Sequence, residues 1–155
     1  MAGTISARLA ELGIELPEPP KPVASYVGFV KHDGLVFVSG QLPFVDGKLT
    51  ATGLLGRDVS IEVAAKAAGI CAVNILAQVQ KACEGDLERI IRCVRLGGFV
   101  ASMPDFFDHP KVVNGASDLM GEILGDRGVH ARAAVGVASL PMNARVEVEA
   151  VFAVR

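Results

Sequence analysis

The chain has 155 residues, of which 51% are hydrophobic and 21% charged, with a formal net charge of -2. That length suits one domain, and there is ample apolar material for a core. The slightly acidic balance leaves no electrostatic footprint for nucleic acid, and no Lys/Arg run marks a membrane surface.

Thr4 caps a predicted short helix over residues 5–13, with Ile5, Leu9 and Leu12 on one stripe and Gly13 at its end. Residues 17–22 form a proline-blocked extended linker, so residues 1–22 are expected to be an arm laid against a domain spanning 23–155. Strands are predicted from Ser25 to Val30 and from Leu35 to Ser39, joined by a His32-Asp33-Gly34 hairpin. Gly40 breaks the second strand. Residues 43–53 make another hairpin-like excursion with Asp46-Gly47 at its tip. A long helix starts at Ser60 and ends before Gly85-Asp86, and its many alanines predict close packing on a sheet.

A strand follows from Ile90 to Ala101, with Gly97-Gly98 as an expected bulge. After a loop over 103–110, a helix runs from Lys111 to Leu124 and stops at Gly125. The last 28 residues hold two apolar runs around the turn Leu140-Pro141-Met142-Asn143 and are expected to form a final hairpin. The order β-β-α-β-α-β-β predicts an α+β sandwich with two helices on one face of a sheet. In the last strand Val146, Val148, Ala150 and Phe152 share one side, and Arg145, Glu147, Glu149 and Val151 the other. Two helices cover only one face. The second, small and apolar with scattered charges, suits a subunit interface that also houses polar sites.

Cys71, Cys83 and Cys93 form no C-x-x-C, and His32, His109 and His130 lack ligand spacing, so neither a disulfide framework nor a metal site is expected. No unbroken apolar stretch of spanning length and no signal-peptide pattern occurs, so a cytoplasmic location is expected. Arg132, at the mouth of an apolar strand, carries a charge that is costly there unless paired, which marks it as a ligand-binding candidate.

From Tyr26 onward several motifs recur in one order: Ser39-Gly40-Gln41-Leu42-Pro43, Gly85-Asp86-Leu87, Asn114 and the closing A-R-x-x-V-x-V-x-x-L-P…V-E-V-E-A. On these residues the chain resembles the YjgF/Rid family of reactive-intermediate (imine) deaminases, many of which bear the label endoribonuclease L-PSP. The resemblance covers residues 24–155. It implies a chorismate-mutase-like fold with a mixed sheet, assembled as a homotrimer around a central barrel with ligand sites in the inter-subunit clefts. It also implies roles: Arg132 grips a substrate carboxylate and Glu147 positions water, while Tyr26, Ser39, Gly40 and Asn114 contact substrate. The activity implied is hydrolysis of small 2-imino or enamine acids to 2-oxo acids and ammonia, with no cofactor. A metabolite-binding module and, less in keeping with the charge, a ribonuclease are the alternatives.

Other readings of the same residues stay open. Arg132 could be a rim charge paired with a neighbouring glutamate, Gly40 a simple bulge, Tyr26 a half-buried strand residue and Asn114 a helix cap. Glu147 and Glu149 could be partners of Arg145. His130 could be an acid near the site, although a turn residue bonded to backbone is preferred. If residues 131–154 form a hairpin, Arg132 pairs near Ala153 and Glu147 lies opposite Ala138, roughly 20 Å apart along the strand. Each site would then combine Arg132 of one protomer with Glu147 of another. The chain departs from the family pattern at Ala134, where a cysteine is usual, at His130, where proline is frequent, and in a longer loop over 106–113.

Overall fold

A computed structural model describes residues 4–21 and 25–155. Pro22, Val23 and Ala24, and with them the expected junction between arm and domain, lie outside the described residues, as does the start of the arm.

Helix α1 (Ile5–Glu11) is capped by the Thr4 hydroxyl, which accepts from the Ala7 N–H, satisfying a backbone donor that the first helical turn leaves unpaired. Ile5 and Leu9 are buried in the common core. Arg8 Nε donates to the Glu122 carbonyl at 2.8 Å, so the described arm packs directly onto the body of the fold.

Strands β1 (Phe29–His32) and β2 (Leu35–Gln41) pair antiparallel across an Asp33-Gly34 turn. Both turn residues have positive φ, 48° and 75°, the conformation that matches the twist of a two-residue hairpin. The first strand starts at Phe29 rather than Ser25. Residues 27 and 28 instead run beside β2 through two bonds from Ser39, whose N–H reaches the Gly28 carbonyl and whose hydroxyl reaches that of Val27 at 2.6 Å. The excursion is a small hairpin of β3 (Phe44–Val45) and β4 (Lys48–Leu49), with Asp46-Gly47 at its tip.

Helix α2 (Ile61–Ala82), capped by Ser60, lays an alanine-rich face on the sheet. By length and composition it could cross a membrane, but half of its apolar window is packed inside the fold. Strand β5 (Ile90–Ala101), helix α3 (His109–Leu124), strand β6 (Ala131–Val137) and strand β7 (Val146–Val154) complete the chain. The five-stranded sheet has the order β1-β2-β7-β5-β6. Its pairs are antiparallel except for β5 and β6, which run parallel. This is the mixed, helix-covered sheet expected.

Two expectations fail. The final hairpin does not form, because β5 lies between β6 and β7 and pairs with both. The segment around Pro141–Asn143 crosses over the end of β5 rather than turning back on β6. The period-2 pattern identified both strands, but it carries no information about which strand sits between them. The bulge at Gly97-Gly98 is also absent. Those residues hold regular register, and the irregularities lie earlier, between Ile90 and Arg92 and between Cys93 and Arg95. The two glycines serve close packing instead. A Cβ on Gly98 would meet Val113 Cγ2 at 2.4 Å, and one on Gly97 would meet Glu149 Oε1 at 2.8 Å.

The same device seats the helices on each other. A Cβ on Gly115 of α3 would lie 1.8 Å from the Ala65 carbonyl oxygen of α2. Gly115 therefore lets α3 approach α2 at backbone distance, and Gly98 makes room on the sheet for the Val113 side chain of α3, which together set where Asn114 and Ser117 end up. The core between helices and sheet includes Val36, Ile75, Leu76, Leu96, Val100, Met120, Val146, Val148 and Phe152, all fully buried. Burial of each such side chain stabilises by about 1.5–3 kcal/mol before conformational entropy is counted. The opposite face leaves Val30, Phe37 and Val135 exposed.

Candidate functional site

Two polar clusters emerge on opposite faces of the sheet. The first lies on the helix side at the edge strand β6. Arg132 pairs with Leu96, a core residue, and its side chain turns toward α3. Arg132 Nη1 donates to Asn114 Oδ1 at 2.8 Å and to Ser117 Oγ at 3.1 Å. Asn114 and Ser117 are three residues apart on one helix, so they share a face. Asn114 is not a cap: it lies in the second turn of α3, and Asp108 occupies the cap position.

Both Nη1 hydrogens are thereby committed. Among the described residues no carboxylate pairs with Arg132. The Nε and Nη2 edge remains, two parallel N–H groups in the fork geometry that a carboxylate accepts in bidentate fashion.

Behind this cluster stands His130. Its Nδ1 is 2.6 Å from the Gly128 carbonyl and its Nε2 is 2.9 Å from Ser117 Oγ. The preferred reading of His130 as a turn residue bonded to backbone fits, but the ring also reaches the cluster through its second nitrogen.

The second cluster is on the open face. Gly40 lies in an irregularity of β2 between Val38 and Gln41, so the bulge reading of Gly40 is correct as far as it goes. The glycine also has a packing reason: a Cβ there would come within 1.9 Å of Glu147 Oε1. Glu147 is half-buried. Burial, and secondly the negative charge of Glu149 beside it, raises its carboxyl above the ordinary glutamate range. A carboxylate held this way is a better proton acceptor than one in water.

Arg145 partners neither glutamate. It donates to the Thr52 carbonyl, while Glu149 pairs with Arg95 at 3.4 Å. Ser39 adjoins Gly40, its hydroxyl donating to Val27 O. Tyr26 is exposed, on the segment that Ser39 holds, and is not the half-buried strand residue weighed from sequence.

The two clusters do not share a site within one chain, although the hairpin argument for that conclusion is wrong. Through β5, Arg132 aligns with Leu96 and Leu96 with Ala150, so Glu147 lies three residues along and two strands across. That is roughly 14 Å between backbones by strand rise and spacing, with the side chains on opposite faces.

A family model described as "YjgF/chorismate mutase-like, putative endoribonuclease" matches residues 6–154. The chain belongs to the YjgF/Rid family. A crystal structure of Atu1372, a protein of unknown function from Agrobacterium tumefaciens, shares 52% identity over 97% of this chain and 92% of its own, with a TM-score of 0.92. One described as a putative endoribonuclease, from Shewanella oneidensis MR-1, shares 33% identity over 98% and 100%, with a TM-score of 0.93. Protein TCP17 of Trypanosoma cruzi is 44% identical over 150 residues, covering 96% of this chain and 93% of TCP17.

The family match begins inside α1, well before the motifs quoted from sequence. Within this YjgF/Rid chain, sequence reading missed Ser117, which the i, i+3 spacing from Asn114 could have supplied. It also missed a second polar pair at the far end of β5, Ser102 Oγ and His109 Nε2 at 3.1 Å. Gly136 makes room for that pair, since a Cβ there would lie 2.3 Å from His109 Nε2. Among the described residues no His, Cys, Asp and Glu group could hold a metal ion.

Proposed function

We propose that this protein hydrolyses small 2-imino or enamine acids to 2-oxo acids and ammonia, in sites built between protomers of a homotrimer. The observation that carries the reading is the tethered guanidinium. Asn114 and Ser117 occupy Nη1 of Arg132 and leave its two-donor edge for a carboxylate. The clusters face opposite ways in one chain, so a complete site takes Arg132 from one protomer and the Gly40–Glu147 pair from another. Val30, Phe37 and Val135 on the open face supply apolar surface for that contact.

In this reading Arg132 holds the substrate carboxylate. Glu147 removes a proton from water as the oxygen adds to the imine carbon. It passes that proton to the imine nitrogen to give the carbinolamine, then takes the hydroxyl proton and delivers it to the amino nitrogen as the C=O bond forms, the C–N bond breaks and ammonia leaves. The imine carbon is already electrophilic, so orientation and proton management suffice without a cofactor.

Purified protein should release ammonia from 2-iminopropionate faster than buffer does. Mixed Arg132→Ala and Glu147→Ala chains should recover activity in hybrid assemblies, and verified hybrids with none would refute the shared site. Ala134, where the family usually has cysteine, favours a second reading as a 2-oxo acid binding module. It predicts carboxylate binding, lost in Arg132→Ala, without faster ammonia release. The endoribonuclease description of the family and of the Shewanella protein is tested by a nuclease assay with Arg132→Ala as control.

A further inference from the structure

We infer that His130 is a positioning residue for Arg132, acting through the hydroxyl of Ser117. The inference rests on the carboxylate-binding role proposed above for Arg132. The Gly128 carbonyl can only accept a hydrogen bond, so the 2.6 Å contact places the imidazole proton on Nδ1. In the neutral ring Nε2 is then an acceptor, and the Ser117 hydroxyl 2.9 Å away donates to it. With its proton aimed at His130, Ser117 Oγ presents lone pairs to Arg132 Nη1 at 3.1 Å.

The bonds thus run in one direction, from Arg132 to Ser117 to His130 to the Gly128 carbonyl. Each group has the hydrogen its partner needs. Without an acceptor at the position of Nε2, the hydroxyl rotor is free to point its hydrogen elsewhere, including toward the guanidinium. Asn114 alone would then hold Nη1, and one bond leaves the fork free to swing. The free guanidinium would have to be immobilised on binding, a cost the relay removes in advance.

The contacts lie on elements of different kinds: β6 carries Arg132, α3 carries Ser117, and the turn before β6 carries His130 and Gly128. The relay therefore also reports the spacing of α3 from the edge strand.

Two substitutions separate positioning from simple support of the turn. His130→Gln retains an acceptor near the place of Nε2, whereas His130→Asn retains only a donor near Nδ1. The guanidinium nitrogen resonances of 15N-arginine-labelled protein give a readout independent of turnover, with Arg132 assigned by its loss in Arg132→Lys. In the wild-type protein rotation about the Cζ–Nη1 bond of Arg132 should be slowed. His130→Leu and His130→Asn should release it and raise KM for 2-iminopropionate by about five- to tenfold with kcat little changed. His130→Gln should restore both.

If Arg132 stays equally restrained in His130→Leu, the relay is wrong whatever the kinetics show. If His130→Asn restores both readouts and His130→Gln does not, His130 merely anchors the turn and the inference is overturned. A wild-type protein with Arg132 restrained but no affinity for pyruvate would sink the proposed function and leave the relay standing.

Discussion

Gly115→Ala tests the packing that brings α3 to Arg132. The new Cβ would lie 1.8 Å from the Ala65 carbonyl oxygen, against the ~3.3 Å that carbon and oxygen need. The obstacle is backbone on a buried helix, so α3 must move away from α2 by about 1.5 Å to reach that separation. Alanine gains about 1 kcal/mol over glycine in a helix interior. Overpacking costs about 1–3 kcal/mol, and a backbone clash belongs at or above the upper end. A net loss of about 2 kcal/mol corresponds to roughly 4–8 °C in Tm for a chain of this size.

Gly121 is the control, in the same helix and with nothing within 4 Å of a Cβ. Gly121→Ala should stabilise by about 0.5–1 kcal/mol. Thermal and urea unfolding of both variants at one protein concentration measures the difference, the fixed concentration removing any effect of assembly. Equal stability of the two variants would refute the packing argument. Asn114 and Ser117 flank the contact, so Gly115→Ala should also loosen the tether on Arg132.

Five other outcomes are expected. Arg132→Lys should bind pyruvate nearly as poorly as Arg132→Ala, by at least tenfold, because an ammonium offers no bidentate fork; calorimetry measures this. A base must be ionised to act, so kcat/KM should fall as pH drops through the raised pKa of Glu147, above the ordinary glutamate range. Glu149→Gln removes the second cause of that shift and should move the acid limb of a pH–rate profile to lower pH. Gly40→Ala should displace the Glu147 carboxylate and cut kcat with little change in Tm, since the atom in the way is the end of a side chain. Burial raises all three thiols, Cys93 to about 12, so the folded protein should resist a thiol-titrating disulfide reagent at pH 8 and react after denaturation.

Local signals in the chain were strong wherever a residue's own conformation decides the outcome. Thr4 and Ser60 cap their helices, Asp33-Gly34 and Asp46-Gly47 turn their hairpins, and Gly125 ends α3 with a φ of 59°. Ile90–Ala101 is a strand with the expected bounds. The alternation of Val146, Val148, Ala150 and Phe152 named the buried face of β7. The glycines at 97 and 98 were legible as a departure from ordinary strand but not as a packing device, because the atoms that need the space belong to Val113 and Glu149.

The main elements and the buried face of β7 were therefore legible in the sequence, because they depend on backbone preference and on the period of apolar side chains, both of which are local. The candidate site residues came chiefly from the resemblance to the family, which did not supply Ser117. Only the tertiary structure decided that β5 separates β6 from β7, that Arg132 faces α3 while Glu147 faces away, and that Ser117 and His130 stand behind the guanidinium. Strand order and side-chain partnership arise from contacts between residues far apart along the chain, and those contacts leave no periodicity to read.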